Sequence, residues 1–225
     1  MLPHDLPCKS TVYDYFAAWR DNGTWQRIVD VFRSTSRQLE ASSEQANPSA
    51  ASIDSQSVKA SERSAERGYD GGKKITGRKR HIAVDTLGLL LAVVVTAASV
   101  DDAAAATEVF EQLKPQRQPL LQIVWADSKY HNHHLNDWLA RQRSIQWTLE
   151  IVRRPKGAKG FVLLPKRWVV ERTFSWLGRW RRLSRDYEHL TSSCESMVRL
   201  ASIGRMLRRI APPKNQATFK YRFTA

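Results

Sequence analysis

Residues 81–97 read HIAVDTLGLLLAVVVTA, and the fold turns on how they are read. HIAVD and LLLAVVVTA are short apolar runs rich in β-branched residues, with a turn signal, Asp85-Thr86-Leu87-Gly88, between them. They predict two strands joined as a hairpin. The longest apolar run, 87–100, is too short to cross a bilayer and too β-branched for a helix. Outward toward the N-terminus, a loop rich in Gly, Lys and Arg, ERGYDGGKKITGRKRH, precedes the hairpin, and ASIDSQSV (51–58) reads as an earlier strand. Outward toward the C-terminus, Asp101 and Asp102 cap an Ala-rich helix, AAAATEVFEQL. LQIVWA (121–126) is a continuous apolar strand, HNHHLNDWLARQ a helix and WTLEIV (147–152) another strand. A basic helix, KRWVVERTFSWLGRWRRLSR (166–185), and a last helix, SCESMVRLASIGRMLRRI, follow. Three strands in succession, then helix, strand, helix, strand, helix, suit an α/β mixed sheet flanked by helices. The later strands are expected to pair in parallel.

Before this core, residues 10–33 carry two apolar stripes at helical spacing: Val12, Tyr15, Phe16 and Trp19, then Trp25, Ile28, Val29 and Phe32. Asn22-Gly23 separates them and Thr24 can cap the second helix. A plain helical hairpin and a DNA-reading helix-turn-helix both fit that pattern. The polar, Ser/Ala-rich stretch 34–50 reads as connecting chain. The expected organisation is a helical segment 1–36, a linker 37–50, a main domain 51–210 and a basic tail 211–225.

With 225 residues and 42% apolar content, the chain can bury a real core. Its formal net charge of +14 predicts a polyanionic partner, most simply DNA or RNA. An anionic membrane surface needs an amphipathic anchor or a lipidation signal, and neither is found. Nor is a secretory signal. Cys8 and Cys194 signal neither a disulfide framework nor a zinc site. A protein of a reducing compartment, the cytoplasm, is expected, with no membrane and no small-molecule substrate.

Three carboxylates stand out. Asp54 lies inside a strand flanked by small hydroxyl residues, where a charge facing solvent is the plain reading. Asp127 follows LQIVWA directly, at the carboxyl end of a central strand, where α/β sheets form ligand sites; capping the next helix is the alternative. Glu171 is the one carboxylate among seven Lys and Arg residues in 166–185. It shares its helix row with Arg167, Ser175 and Gly178, beside an apolar row of Val170, Phe174 and Leu177. Together the three would serve phosphodiester chemistry with divalent ions, since Mg²⁺ prefers carboxylate oxygen. Asp85, Asp101 and Asp102 are explained by turn and cap roles, and His131, His133 and His134 lack the partners of a metal site. Trp176 and Trp180 read as core residues fixing their helix to the sheet.

The segments IDSQSVK, YDGGKKITGRKRHIAVDTLGLLLAVVVTAASVDD, VWADSKY and RWVVERTFSWLGRWRRLSRDYE closely resemble bacterial insertion-sequence transposases of the IS-five-like type. The resemblance covers residues 5–210. It implies an RNase H-like catalytic core with three antiparallel strands followed by parallel ones, and a catalytic, metal-binding triad on Asp54, Asp127 and Glu171. Two Mg²⁺ ions, replaceable by Mn²⁺, would be the cofactor, and double-stranded DNA, both element ends and target, the partner. Self-association on DNA and a nucleoid-associated location in a bacterium are further implications. Arg167 matches the family's arginine four residues before the glutamate. The DNA contacts expected are Lys73, Lys74, Arg78, Lys79 and Arg80 of the Gly-rich loop, and Arg167, Arg172, Arg179, Arg181 and Arg182 of the basic helix. That loop lacks the spacing of a nucleotide-binding P-loop. Leu164 and Gly178 depart from the superfamily signature, which has Tyr and Lys there. Family members usually carry several tens of residues before MLPHDLP, so a shortened N-terminal domain is expected, and with it the alternative of a non-catalytic, DNA-binding remnant.

Overall fold

A computed structural model describes residues 5–41, 46–155, 157, 160 and 162–212. The tail expected at 211–225 therefore lies almost wholly outside the described residues. The strands are β1 (Ala50–Lys59), β2 (Gly68–Asp70), β3 (Ile75–Asp85), β4 (Leu90–Ala97), β5 (Ile123–Ala126) and β6 (Thr148–Ile151). The helices are α1 (Lys9–Asp21), α2 (Thr24–Ala41), α3 (Asp102–Glu111), α4 (His133–Arg141), α5 (Pro165–Gly178) and α6 (Thr191–Ile210). The sheet runs β2-β3-β1-β5-β6, with β4 sharing the outer edge of β3 with β2. β1, β3 and β4 pair antiparallel; β1–β5 and β5–β6 pair parallel. This mixed sheet flanked by helices is consistent with an RNase H-like fold.

Strand alternation sorts the side chains onto two cores. Ala51, Ile53 and Ala83 face α3 and α4, packing with Val109, Phe110, Leu135 and Trp147. Ile82 and Val84 face the other way, toward Val29 of α2, Val170 and Phe174 of α5, and Val198 and Met206 of α6. Even-numbered positions of β1 share this second face. Ser52 Oγ accordingly donates to the Lys166 carbonyl, and Thr173 Oγ1 of α5 donates to the Gly88 carbonyl at 3.2 Å. α5 is thus tied to the sheet near its start and again two turns on.

Several expectations need correction. ITGRKRH is not loop: it is the first half of β3, and its charges are buried. Arg78 and Arg80 point to the α6 side, fully buried. Arg78 pairs with the equally buried Asp186 at 3.2 Å and donates to the carbonyls of Glu66, Glu188 and His189. Arg80 donates to the Leu183 carbonyl at 2.7 Å. Lys79 points to the opposite face and pairs with Asp102 at 3.0 Å. All three leave the set of expected DNA contacts: Arg78 and Lys79 are paired inside the fold, and Arg80 is fully buried, out of reach of a phosphate.

α2 continues to Ala41, so residues 37–41 are helix rather than linker. Arg37 is the reason, since its guanidinium meets the buried Asp85 at 2.8 Å. Asp85 also accepts from the Leu87 and Leu89 amides, which is the turn role expected of it. At the α1–α2 corner Gly23 takes φ 73°, and Asn22 Oδ1 accepts from the Thr24 amide and hydroxyl, so Asn22 does the work expected of Thr24. The basic helix ends at Gly178, short of 185, and a single 3-10 turn (Arg181–Leu183) follows. No helix among the described residues is long and apolar enough to cross a membrane.

Gly77 shows how tightly β3 is seated. A Cβ built there would lie 2.0 Å from the Val58 carbonyl oxygen and 2.7 Å from the Ala60 nitrogen. Both are backbone atoms, so nothing can rotate aside. Gly77→Ala is expected to lose about 3 kcal/mol or more of stability in denaturant unfolding; a loss below about 1 kcal/mol would contradict this packing.

Candidate active site

The three carboxylates, far apart in sequence, meet at one atom. Arg167 Nη2 lies 3.6 Å from Asp54 Oδ2, 3.7 Å from Asp127 Oδ2 and 3.5 Å from Glu171 Oε1. No two of these oxygens can be more than about 7 Å apart, which leaves room for the roughly 4 Å ion spacing of two-metal sites. Each element aims its residue for a local reason. Asp54 sits at an even position of β1, on the α5 face. Asp127 follows the last residue of β5, where the sheet opens. Arg167 and Glu171 are one turn apart on α5, so they share a row.

The capping alternative for Asp127 also holds: Oδ1 accepts from the Lys129 amide at 2.9 Å and caps a 3-10 turn (Ser128–Tyr130). The second oxygen is the one that faces Arg167, so the cap orients the carboxylate. Asp54 Oδ1 is likewise engaged, by the Ser55 amide at 2.7 Å. Burial pushes the Asp54 carboxyl up to about 6; the Ser55 amide and the Arg167 charge oppose this, and the Asp127 charge adds to it. Glu171 is the most open of the three, its side chain 48% exposed.

Beneath this layer lies a residue that sequence reasoning discarded. Asp102 was expected only to cap α3, but Asp101 does the capping, accepting from the Ala103 amide at 2.9 Å. The buried Asp102 carboxylate instead takes the Ser55 hydroxyl at 2.8 Å, Lys79 at 3.0 Å and Lys129 at 3.2 Å. Ser55 adjoins Asp54 and Lys129 lies two residues past Asp127, so Asp102 ties both aspartate segments together. Burial raises its carboxyl, but the Ser55 and Lys79 hydrogen bonds and the Lys79 and Lys129 charges outweigh that and lower it to about 2. Tyr130, fully buried with an unpartnered hydroxyl, is a second residue missed. For Tyr130 the signal available was position, three residues past Asp127; Asp102, five residues past the end of β4, carried no such signal.

Among the expected DNA contacts, Lys73 and Lys74 are exposed on the β2–β3 turn. Lys73 Nζ reaches the Ser55 carbonyl at 3.2 Å, which hangs this turn over the Asp54 segment. Arg179 and Arg181 are exposed, and Arg182 pairs with Glu188 at 2.8 Å. A cleft of about 300 Å³ opens beside the carboxylates, lined by Arg154, Leu163, Leu164, Arg167 and Glu171. The three histidines of 131–134 do not join the site. Among the described residues no group of three or more His, Cys, Asp or Glu is gathered closely enough to hold a metal ion; the triad faces the Arg167 guanidinium instead. Its contacts exceed hydrogen-bond length and its Nε is buried without a partner, so charge alone keeps it there. The donor set is all carboxylate oxygen, which suits a hard divalent cation.

An RNase H-like sheet with acids gathered at the open end of its central strands describes the nuclease and transposase class of fold. Residues 45–202 match the family model described as "Transposase DDE domain", and the chain belongs to that family. A curated protein of Burkholderia cepacia, provisionally named the transposase of insertion sequence element IS402, is 33% identical over 118 residues. The match takes in 50% of this chain and 54% of that protein, so the chain spans about half the length of this relative.

Proposed function

We propose that the chain cleaves DNA at the ends of a bacterial insertion sequence and joins the freed ends to target DNA, with Asp54, Asp127 and Glu171 as its catalytic residues. The observation that carries this reading is the convergence of three carboxylates, from β1, the end of β5 and α5, on one guanidinium nitrogen. The same three residues would hold two Mg²⁺ or Mn²⁺ ions. When bound, such ions activate the attacking oxygen and stabilise the leaving one. In the first step a water oxygen attacks phosphorus and the P–O3′ bond breaks, leaving a 3′-hydroxyl. In the second, that hydroxyl attacks a target phosphodiester and the target strand's own 3′-oxygen leaves.

The chain's residues supply position and charge. The caps on Asp54 and Asp127 hold one oxygen of each, leaving the other for the reaction. Lys73 and Lys74 on one side, and Arg154, Arg167, Arg179 and Arg181 on the other, would hold backbone phosphates against a cluster of acids that alone would repel them. Double-stranded DNA is the partner, the work is done on nucleoid DNA in the cytoplasm, and two copies act together because two ends are cut.

The test is a cleavage assay on duplex DNA carrying the element's ends, with and without Mg²⁺ or Mn²⁺. Metal-dependent nicking at the element boundary is expected. Binding without any cleavage would point to a DNA-binding protein that no longer catalyses.

A further inference from the structure

One residue beyond Glu171, and a hundred-degree step around α5, the helix turns a different face outward. There Arg172 lies between two indoles, its guanidinium carbon 4.5 Å from the Trp168 ring centre and 4.5 Å from that of Trp176. Arg205 of α6 lies over the same Trp176 ring at 3.1 Å, with Arg209 at 5.8 Å, and Arg208 lies over Trp180 at 5.7 Å. Trp180 packs against the core, as expected of it, while Trp168 and Trp176 also order a row of arginines between α5 and α6. The β3–β4 turn closes one side: Arg172 Nη2 reaches the Leu87 carbonyl at 3.4 Å, and Arg205 Nη1 the Gly88 carbonyl at 3.3 Å.

The row is short of negative charge. Among the described residues the one carboxylate in ion-pair reach of these four arginines is Glu40, 3.0 Å from Arg209 Nη1 and off the line a hydrogen bond needs. Among the described residues, Arg172 Nε and Arg205 Nη2 are buried donors with no acceptor. Burial, then the charges of Arg209 and Arg172, push the Arg205 guanidinium down to about 9. Packing alone does not ask for several like charges held together; an anion bound against them would relieve the repulsion. Guanidinium planes fixed by indoles suit the paired oxygens of a phosphate. The rings themselves are taken up by guanidinia, so phosphate rather than a stacked base is the group they favour.

We propose that Arg172, Arg205 and Arg209 form a clamp for a backbone phosphate of duplex DNA, separate from the carboxylate site and indifferent to base sequence. This rests on the reading of the chain as a DNA-directed protein.

Binding of the full chain to a short labelled duplex, in chelator and at about 50 to 200 mM salt, tests it through the slope of log affinity against log salt. The double variant Arg172→Gln, Arg205→Gln is expected to flatten the slope by about 1 and to weaken all duplex sequences alike. Arg209→Gln, at the rim and away from the stack, is expected to flatten it by about 1, and decides the matter alone if the double variant does not fold. Folded variants with an unchanged slope would overturn the clamp while leaving DNA binding intact. Failure of the unmodified chain to bind any duplex would overturn both readings. Inorganic phosphate that raises the melting temperature at matched ionic strength, yet does not compete with DNA, would assign the arginines to a free anion and overturn the clamp as proposed.

Discussion

Asp54→Asn is expected to slow DNA cleavage by about a thousandfold or more, while the metal-free protein melts no lower than the unmodified chain. The two halves have one cause. Asp54 is largely withdrawn from water beside Asp127, and burial raises its carboxyl to about 6, so at neutral pH its charge works against folding. Asparagine keeps the size and can keep the bond from the Ser55 amide, and it removes the charge. Arg167 retains Asp127 and Glu171 as partners. What the variant loses is an anionic oxygen donor, which the fold does not need and the proposed reaction does. Cleavage rates in Mn²⁺ and Mg²⁺, measured beside a thermal melt, read both outcomes. Undiminished cleavage would remove Asp54 from the site, and a melting temperature several degrees lower would make it a structural residue.

Asp102→Ala has the opposite signature. Its carboxylate serves Lys79, whose side chain is 8% exposed, and the Ser55 hydroxyl. Truncation leaves a buried ammonium unpaired, and breaking a buried pair in this way costs about 3–5 kcal/mol. Lys129, 56% exposed at its side chain, adds little to that figure. Activity should fall with stability, because Asp102 links the segments carrying Asp54 and Asp127. The pH dependence follows from its lowered carboxyl. With about 2 in the fold against 3.8 as the ordinary value, its stabilisation is fully present above about pH 4 and lost as pH falls toward 2. About 2 kcal/mol should go over that interval, and Asp102→Ala should not show this loss. Denaturant melts at pH 5, 4 and 3 would reveal it, and parallel curves for the two proteins would refute it.

The contrast between these two aspartates explains what could be read in the sequence. Strand order was legible because Ile82, Val84 and the run 89–95 carry the short-period apolar pattern of buried strands. Asp127 was legible because an apolar strand ends directly before it. The first half of β3 was not: Arg78 and Lys79 look like solvated loop until Asp186 and Asp102, distant in sequence, are seen to neutralise them. Asp102 was hidden for the same reason, since its partners Ser55, Lys79 and Lys129 lie on three other segments. The end of α2 was hidden because Arg37, polar in any sequence reading, is held by a buried carboxylate on the β3–β4 turn. Where a charge is buried, its partner decides the structure, and a single sequence does not name partners.

The sheet ends on β6, a strand of four residues whose Glu150 is drawn sideways to Lys166 at 2.8 Å and to the Trp125 indole at 3.1 Å, with Pro155 soon after it. So short and charged a border gives another polypeptide little ladder to continue. Copies of this chain, if they gather on DNA as proposed, would not splice their sheets along this border. The border is a place where strand addition stops, and it would seed no stack of strands.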